Sequence, residues 1–149
     1  MNYNEIEKLF QDKETLEEVL QLCVDTFNKI DAIGDRLKNR LVNTGEEVYG
    51  TLQELNGLYD FLCPIYTIAD TTKENEEGRF YGSKKMEIDA SGVKFVDATV
   101  KKESSIHVND YRRVRNLLEA YINICKINIG SCQSLLKTYG EYNAQKPLT

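Results

Sequence analysis

Tryptophan is absent from this 149-residue chain, histidine occurs once and proline only twice. With Pro64 and Pro147 as the sole imino acids, almost nothing interrupts helices over most of the length. The lone His107 has no HExxH or HxH partner, so it reads as a surface or cap-adjacent residue, not a base or a metal ligand. The nine glycines are scattered, and neither GxGxxG nor a GxxxxGK phosphate loop occurs. No GxSxG elbow is present either, and no cysteine is set beside a histidine in a nucleophile motif. The acidic group Asp70, Glu74, Glu76 and Glu77 lacks the spacing of a calcium loop and reads as loop solvation. No catalytic residue, cofactor or metal site is therefore expected, and the chain is expected not to be an enzyme.

Long apolar runs are also missing, so no membrane contact is expected. The opening MNYNEIEKLF is acidic and carries neither the basic start nor the apolar core of a secretory signal. The four cysteines, Cys23, Cys63, Cys125 and Cys132, all fall at apolar-face positions of helical patterns, as buried hydrophobes do. Cys125 and Cys132 stand one heptad apart and form no CxxC pair. Reduced core thiols and a cytoplasmic location follow as expectations.

What the chain does have is rhythm. Leu16, Leu20, Cys23, Phe27, Ile30, Gly34, Leu37 and Leu41 alternate spacings of four and three. That period keeps one stripe on a single side of a helix packed against a partner. Val48, Leu52, Leu55, Tyr59, Leu62, Tyr66 and Ala69 repeat it, as do Leu118, Ile122, Cys125, Ile129, Cys132, Leu136 and Tyr139. Leu117, Tyr121, Ile124 and Leu135 broaden the last stripe, which marks that helix as contacted on more than one side. Gly34 falls on a seam position, where either close approach of another backbone or simple tolerance accounts for it.

The predicted elements are a helix over about 12–43, a second over 46–69 and a third over 109–140, followed by a tail at 141–149. Thr44-Gly45 supplies the first break, and Pro64 predicts a kink or early stop near Cys63. Residues 70–82 are polar and read as a loop. Met86, Ile88 and Ala90 alternate with charged residues, as do Val96, Ala98 and Val100, which predicts a β-hairpin over 84–102 turning at Asp89–Gly92. The expected fold is a single mainly α domain: an antiparallel heptad-patterned helical hairpin or three-helix bundle with a small β-hairpin insert. An isolated hairpin is marginal in water, so it must pack on the helices, add to a sheet in another subunit, or order on a partner.

Charge is uneven within a net of −5. Residues 1–78 hold 7 basic and 17 acidic side chains, whereas 79–115 hold 9 basic and 5 acidic ones. The basic block contains Arg79, Tyr81, Lys84, Lys85, Lys101, Lys102, Arg112, Arg113 and Arg115, taken together as the candidate contact surface. Cations interleaved with aromatics suit phosphates and bases, so nucleic acid is one candidate partner. The alternative is complementarity to the acidic first helix or to another protein. Arginines crowding a helix start also call for a compensating anion.

Two long heptad helices around a loop and hairpin resemble, in layout, the coiled-coil tentacle of prefoldin-type chaperones. They also resemble small phage recombination mediators, in which helices surround a short insert and subunits form rings. No motif carries either resemblance, and no residue role is transferred. The functional expectation is a non-enzymatic, homo-oligomeric assembly protein contacting its partner through the basic segment. The alternative is a nucleic-acid-binding accessory protein.

Overall fold

A computed structural model describes residues 2–145. The chain is mainly helical, and no strand occurs among the described residues. In order, α1 covers Tyr3–Leu9, a 3₁₀ turn covers Lys13–Thr15, and α2 covers Leu16–Lys38. Next come α3 over Gly45–Ser91, α4 over Asp97–His107 and α5 over Asn109–Gln145.

Side-chain capping sets several of these boundaries. Asn2 Oδ1 accepts from the Asn4 amide at 3.1 Å, and Asp12 Oδ1 accepts from the Glu14 amide at 3.0 Å. Thr44 and Glu47 form a reciprocal capping box at the start of α3. The Glu47 amide donates to Thr44 Oγ1 at 3.2 Å, and Glu47 Oε2 accepts from the Thr44 amide at 3.3 Å and from the Asn43 amide at 2.8 Å. At the end of α2 the Arg40 amide bonds Leu37 O and the Leu41 amide bonds Arg36 O. This paired pattern closes the helix with Arg40 in the left-handed region at φ 56°, a place usually given to glycine.

The contacts divide the described residues into two compact units, 2–22 with 64–118 and 23–63 with 119–145. In the first, Ile6, Phe10, Leu16, Val19, Ile65, Val100, Val108, Val114 and Leu118 form the core, each under 3% exposed. Lys13 Nζ donates to His107 O and Arg113 pairs with Glu17, so the starts of α2 and α5 run in the same direction. In the second, Cys23, Ile30, Ile33, Val48, Leu55, Leu62, Cys125 and Cys132 are buried. There Phe27 stacks on Tyr121 at 4.0 Å and Tyr139 Oη donates to Asn43 O, so α2 and α5 again run parallel. Arg36 near the end of α2 reaches Glu54 at 3.6 Å, which with the short link over 39–44 makes α3 antiparallel to α2.

Two sequence expectations are corrected. Residues 70–82 are helix, not loop, because Lys, Glu and Arg are strong helix formers and no proline intervenes. Pairs one turn apart, Lys73–Glu77 at 3.1 Å and Arg79 with Glu76, support the all-polar part of this stretch, 70–79. The β-hairpin over 84–102 is absent: 84–91 completes α3 and Asp97 starts α4. Tyr81, Lys84 and Ile88 are half-buried, and Val100 and Ser104 are buried, spacings that follow a helix and not a strand. Three apolar residues in alternation are too few to outweigh the helix-forming Lys, Met, Glu and Ala around them. The hairpin's predicted turn residue still takes a positive φ: Gly92 stands at 71°, just past the end of α3.

The helix expected over 46–69 therefore continues through Pro64 to Ser91. The first helix is shorter than 12–43, since the 3₁₀ turn precedes it and Arg40 follows its end. Part of the expected tail at 141–149 is helical to Gln145, and 146–149 lie outside the described residues.

Candidate interaction surface

With the strands gone, the basic segment is a helical hairpin: the end of α3, a turn over 92–96, and α4. Ser91 Oγ donates to Ile88 O at 2.7 Å and accepts from the Val93 amide at 3.4 Å, so the serine closes α3 as Gly92 turns the chain. Val96 occupies the cap position of α4 without a side-chain cap bond, leaving Asp97 in the first turn against the positive end of the helix.

Tyr81 ties the two helices. Its hydroxyl donates to Asp97 Oδ1 at 2.6 Å, and Asp97 pairs with Lys101 one turn on at 2.8 Å. The Lys101 ammonium and then the tyrosine hydroxyl hold the Asp97 carboxyl below its ordinary range. The same bonds raise Tyr81 and Lys101. The Tyr81 ring meets Phe95 edge-on at 6.2 Å, and Lys85 Nζ lies over the Phe95 ring at 5.6 Å.

Further back, Phe80 stacks on His107 at 4.3 Å with Lys84 Nζ 5.7 Å from its centroid. Burial, and then Lys13 and Arg79, hold His107 below its ordinary value against the opposing pull of Glu76, whose carboxylate is 4.0 Å away. Glu77, Gly78, Tyr81, Lys101 and Ser104 line an open hollow of about 430 Å³ between the two helices.

Of the nine sequence candidates, Tyr81, Lys84, Lys85 and Lys101 gather at this tip. Arg79 stands one turn away and is engaged by Glu76. Lys102 is exposed and forms no ion pair among the described residues. The three arginines of α5 do not join them. Arg112 bonds Asn109 Oδ1 at 3.0 Å and Ser105 Oγ at 2.8 Å, Arg113 pairs with Glu17, and Arg115 Nε reaches Asp70 Oδ1 at 2.7 Å. Acids of α2 and α3 thus compensate two of the cations that crowd this helix start.

Sequence reading missed Phe95, Asp97 and the Phe80–His107 stack. The four-residue spacing of Asp97 and Lys101 was a helix signal, hidden by the strand assignment. It also missed the apolar character of the tip, where Met86 is 75% and Val93 66% exposed, with Val96 nearby in the turn. No cluster of three metal-ligating side chains occurs among the described residues, and none of their helices is long and apolar enough to cross a membrane. Compared with protein-family models, curated proteins and solved structures, the chain matches none of them.

Proposed function

We propose that this protein is a non-enzymatic helical interaction protein that contacts an acidic partner protein through the tip of the α3–α4 hairpin. The observation that carries the reading is the company kept by Met86 and Val93. These exposed apolar side chains stand in a segment with Lys85, Lys94 and Lys102, none of which forms an ion pair among the described residues. An apolar patch bordered by cations fits the apolar face of an acidic amphipathic segment. Buried thiols at Cys23, Cys125 and Cys132 support a cytoplasmic setting.

Nucleic acid is the second reading, favoured by lysines over aromatic rings. Base stacking needs an open ring face. Phe80 has His107 on its ring and Lys84 above it, and Phe95 is met by Tyr81 and Lys85. Glu87, Asp89, Asp97 and Glu103 also interleave with the lysines and weaken the field that a phosphate chain requires. The protein-partner reading is the stronger.

Fluorescence anisotropy with two labelled probes separates them: a helical model peptide rich in Glu and Leu, and a single-stranded oligonucleotide. The expected result is peptide binding that is lost in the Lys85→Glu, Met86→Ser double variant, with no oligonucleotide retention at moderate salt. Oligonucleotide binding that falls steeply with salt and is lost in the same variant overturns the proposal in favour of the second reading.

A further inference from the structure

The second compact unit carries a surface that the tip does not explain. Over residues 120–138 of α5 the charged residues are Lys126 and Lys137, in a chain that is 29% charged. Both stand on one edge of the helix. The outward positions Ile124, Ile127, Ser131, Ser134 and Thr138 repeat at three and four residues, a second heptad stripe separate from the buried one. Ile127 is 68% exposed and Ile124 36%.

Beside this stripe a groove of about 810 Å³ opens between α5 and α2, with Gly34, Leu37, Gly130 and Ser131 in its lining. No atom comes within 4 Å of the place a Cβ would take at Gly130, and at Gly34 only Asn128 Nδ2 does, at 3.6 Å. Small residues next to a projecting isoleucine give one face both a ridge and a hollow. A face of that kind is complementary to itself, the requirement for a two-fold interface.

Charge selects the arrangement. On α5 Lys126 is exposed, and on α2, the other helix bordering the groove, Asp31 and Asp35 are exposed, with Lys38 further along in the lining. The Tyr121–Asp31 hydrogen bond at 2.9 Å and the Gly34–Asn128 approach bracket the level of residue 126, so these aspartates lie at its height. A two-fold axis along the helices preserves height and brings the lysine edge of one copy to the aspartate edge of the other. An axis across the helices would set lysine against lysine. We infer that this face of α5, with the groove against α2, is a homodimer interface in which the α5 helices pair in parallel, Ile127 of each copy seated at the other's Gly34–Gly130 hollow and Lys126 facing Asp31 and Asp35.

A second copy covers this face, which lies in the unit that lacks the α3–α4 tip, so loss of either contact leaves the other intact. Sedimentation equilibrium of the full chain is expected to give twice the 17.1 kDa chain mass. Ile127→Glu is expected to weaken dimerisation by more than tenfold with its far-ultraviolet circular dichroism unchanged, because the side chain is exposed in the single chain. Lys126→Asp is expected to weaken it less, and addition of Asp31→Lys with Asp35→Lys to restore it. The tip variant Lys85→Glu, Met86→Ser should leave the mass at the dimer value. A wild-type chain that stays monomeric at every concentration overturns the inference, as does a dimer indifferent to Ile127→Glu or one dissolved by the tip variant.

Discussion

Arg115 Nε lies 2.7 Å from Asp70 Oδ1, joining the start of α5 to the middle of α3 across 45 residues of sequence. The same guanidinium donates to Tyr66 Oη at 2.9 Å and sits over the Tyr66 ring at 5.3 Å. A planar donor held by both a carboxylate and an aromatic face is geometrically defined, unlike most surface pairs. The two side chains are about one-quarter and one-third exposed, so solvent screens part of the attraction.

Asp70→Asn is therefore expected to lower stability by about 1 kcal/mol, between the values for exposed pairs and buried charged hydrogen bonds. Urea denaturation followed by circular dichroism measures this. A double-mutant cycle with Arg115→Met isolates the pair, and a coupling indistinguishable from zero would show that the arginine is held without Asp70. The cycle is informative because both residues belong to one compact unit and unfold together.

Helix ends offer a matched pair of backbone tests. Arg40 closes α2 at φ 56° and Gly92 follows α3 at 71°, with nothing within 4 Å of a Cβ built at Gly92. Arg40→Gly removes the left-handed penalty of an L side chain and is expected to stabilise by about 0.5–1 kcal/mol. Gly92→Ala incurs that penalty without a clash and is expected to cost about 1 kcal/mol. Thermal melts of the two variants should move in opposite directions; a shared direction would exclude the left-handed conformation at one of the sites.

How far these features were legible depended on what stabilises each segment. The stripe from Leu16 to Ile30 was readable because burial imposes a period, and its positions at 16, 20, 23, 27 and 30 are all buried. The same stripe fails at Leu41, which is 62% exposed, because α2 stops at Lys38 and the rhythm outruns the helix. Residues 70–79 were misread since local ion pairs and propensity support them, and neither leaves a hydrophobic period. Val100, Ser104, Val108 and Tyr111 form a buried helical series that was overlooked once Val96, Ala98 and Val100 had been paired as a strand. The candidate surface was legible as a block of charge. Which cations were already engaged depended on contacts such as Glu17–Arg113, separated by 96 positions in the chain.

His107 supplies a pH test with a definite sign. Burial, helped by Lys13 and Arg79, lowers its folded value below the ordinary 6.5. As pH falls through 6.5, the unfolded chain binds a proton that the folded chain still refuses. Stability contributed by the neutral imidazole is thus present above 6.5 and is lost between 6.5 and the lower folded value. His107→Gln is expected to flatten the decline in stability across that interval, read from urea midpoints at a series of pH values. Proton NMR of the imidazole checks the premise directly, and a folded midpoint above 6.5 would show that Glu76 outweighs burial.

Thiol chemistry should divide the four cysteines by location. Burial pushes the Cys23 and Cys125 thiols up to about 11 and raises Cys132 as well. All three are fully covered in the fold, whereas Cys63 is half-buried beside Tyr59, to which it is hydrogen-bonded. Attack on a disulfide reagent requires both the thiolate and access to the sulfur. In native protein near pH 8, Ellman's reagent is expected to modify Cys63 first, at a rate set by local exposure. The other three should react only with opening of the fold, so their rate should rise with urea in step with the unfolded fraction. Cys63→Ser should remove the early phase and leave the slow one intact. A fast phase surviving in that variant would place another cysteine at the surface, and with it a break in the buried stripe that unites Cys23, Cys125 and Cys132 in one core.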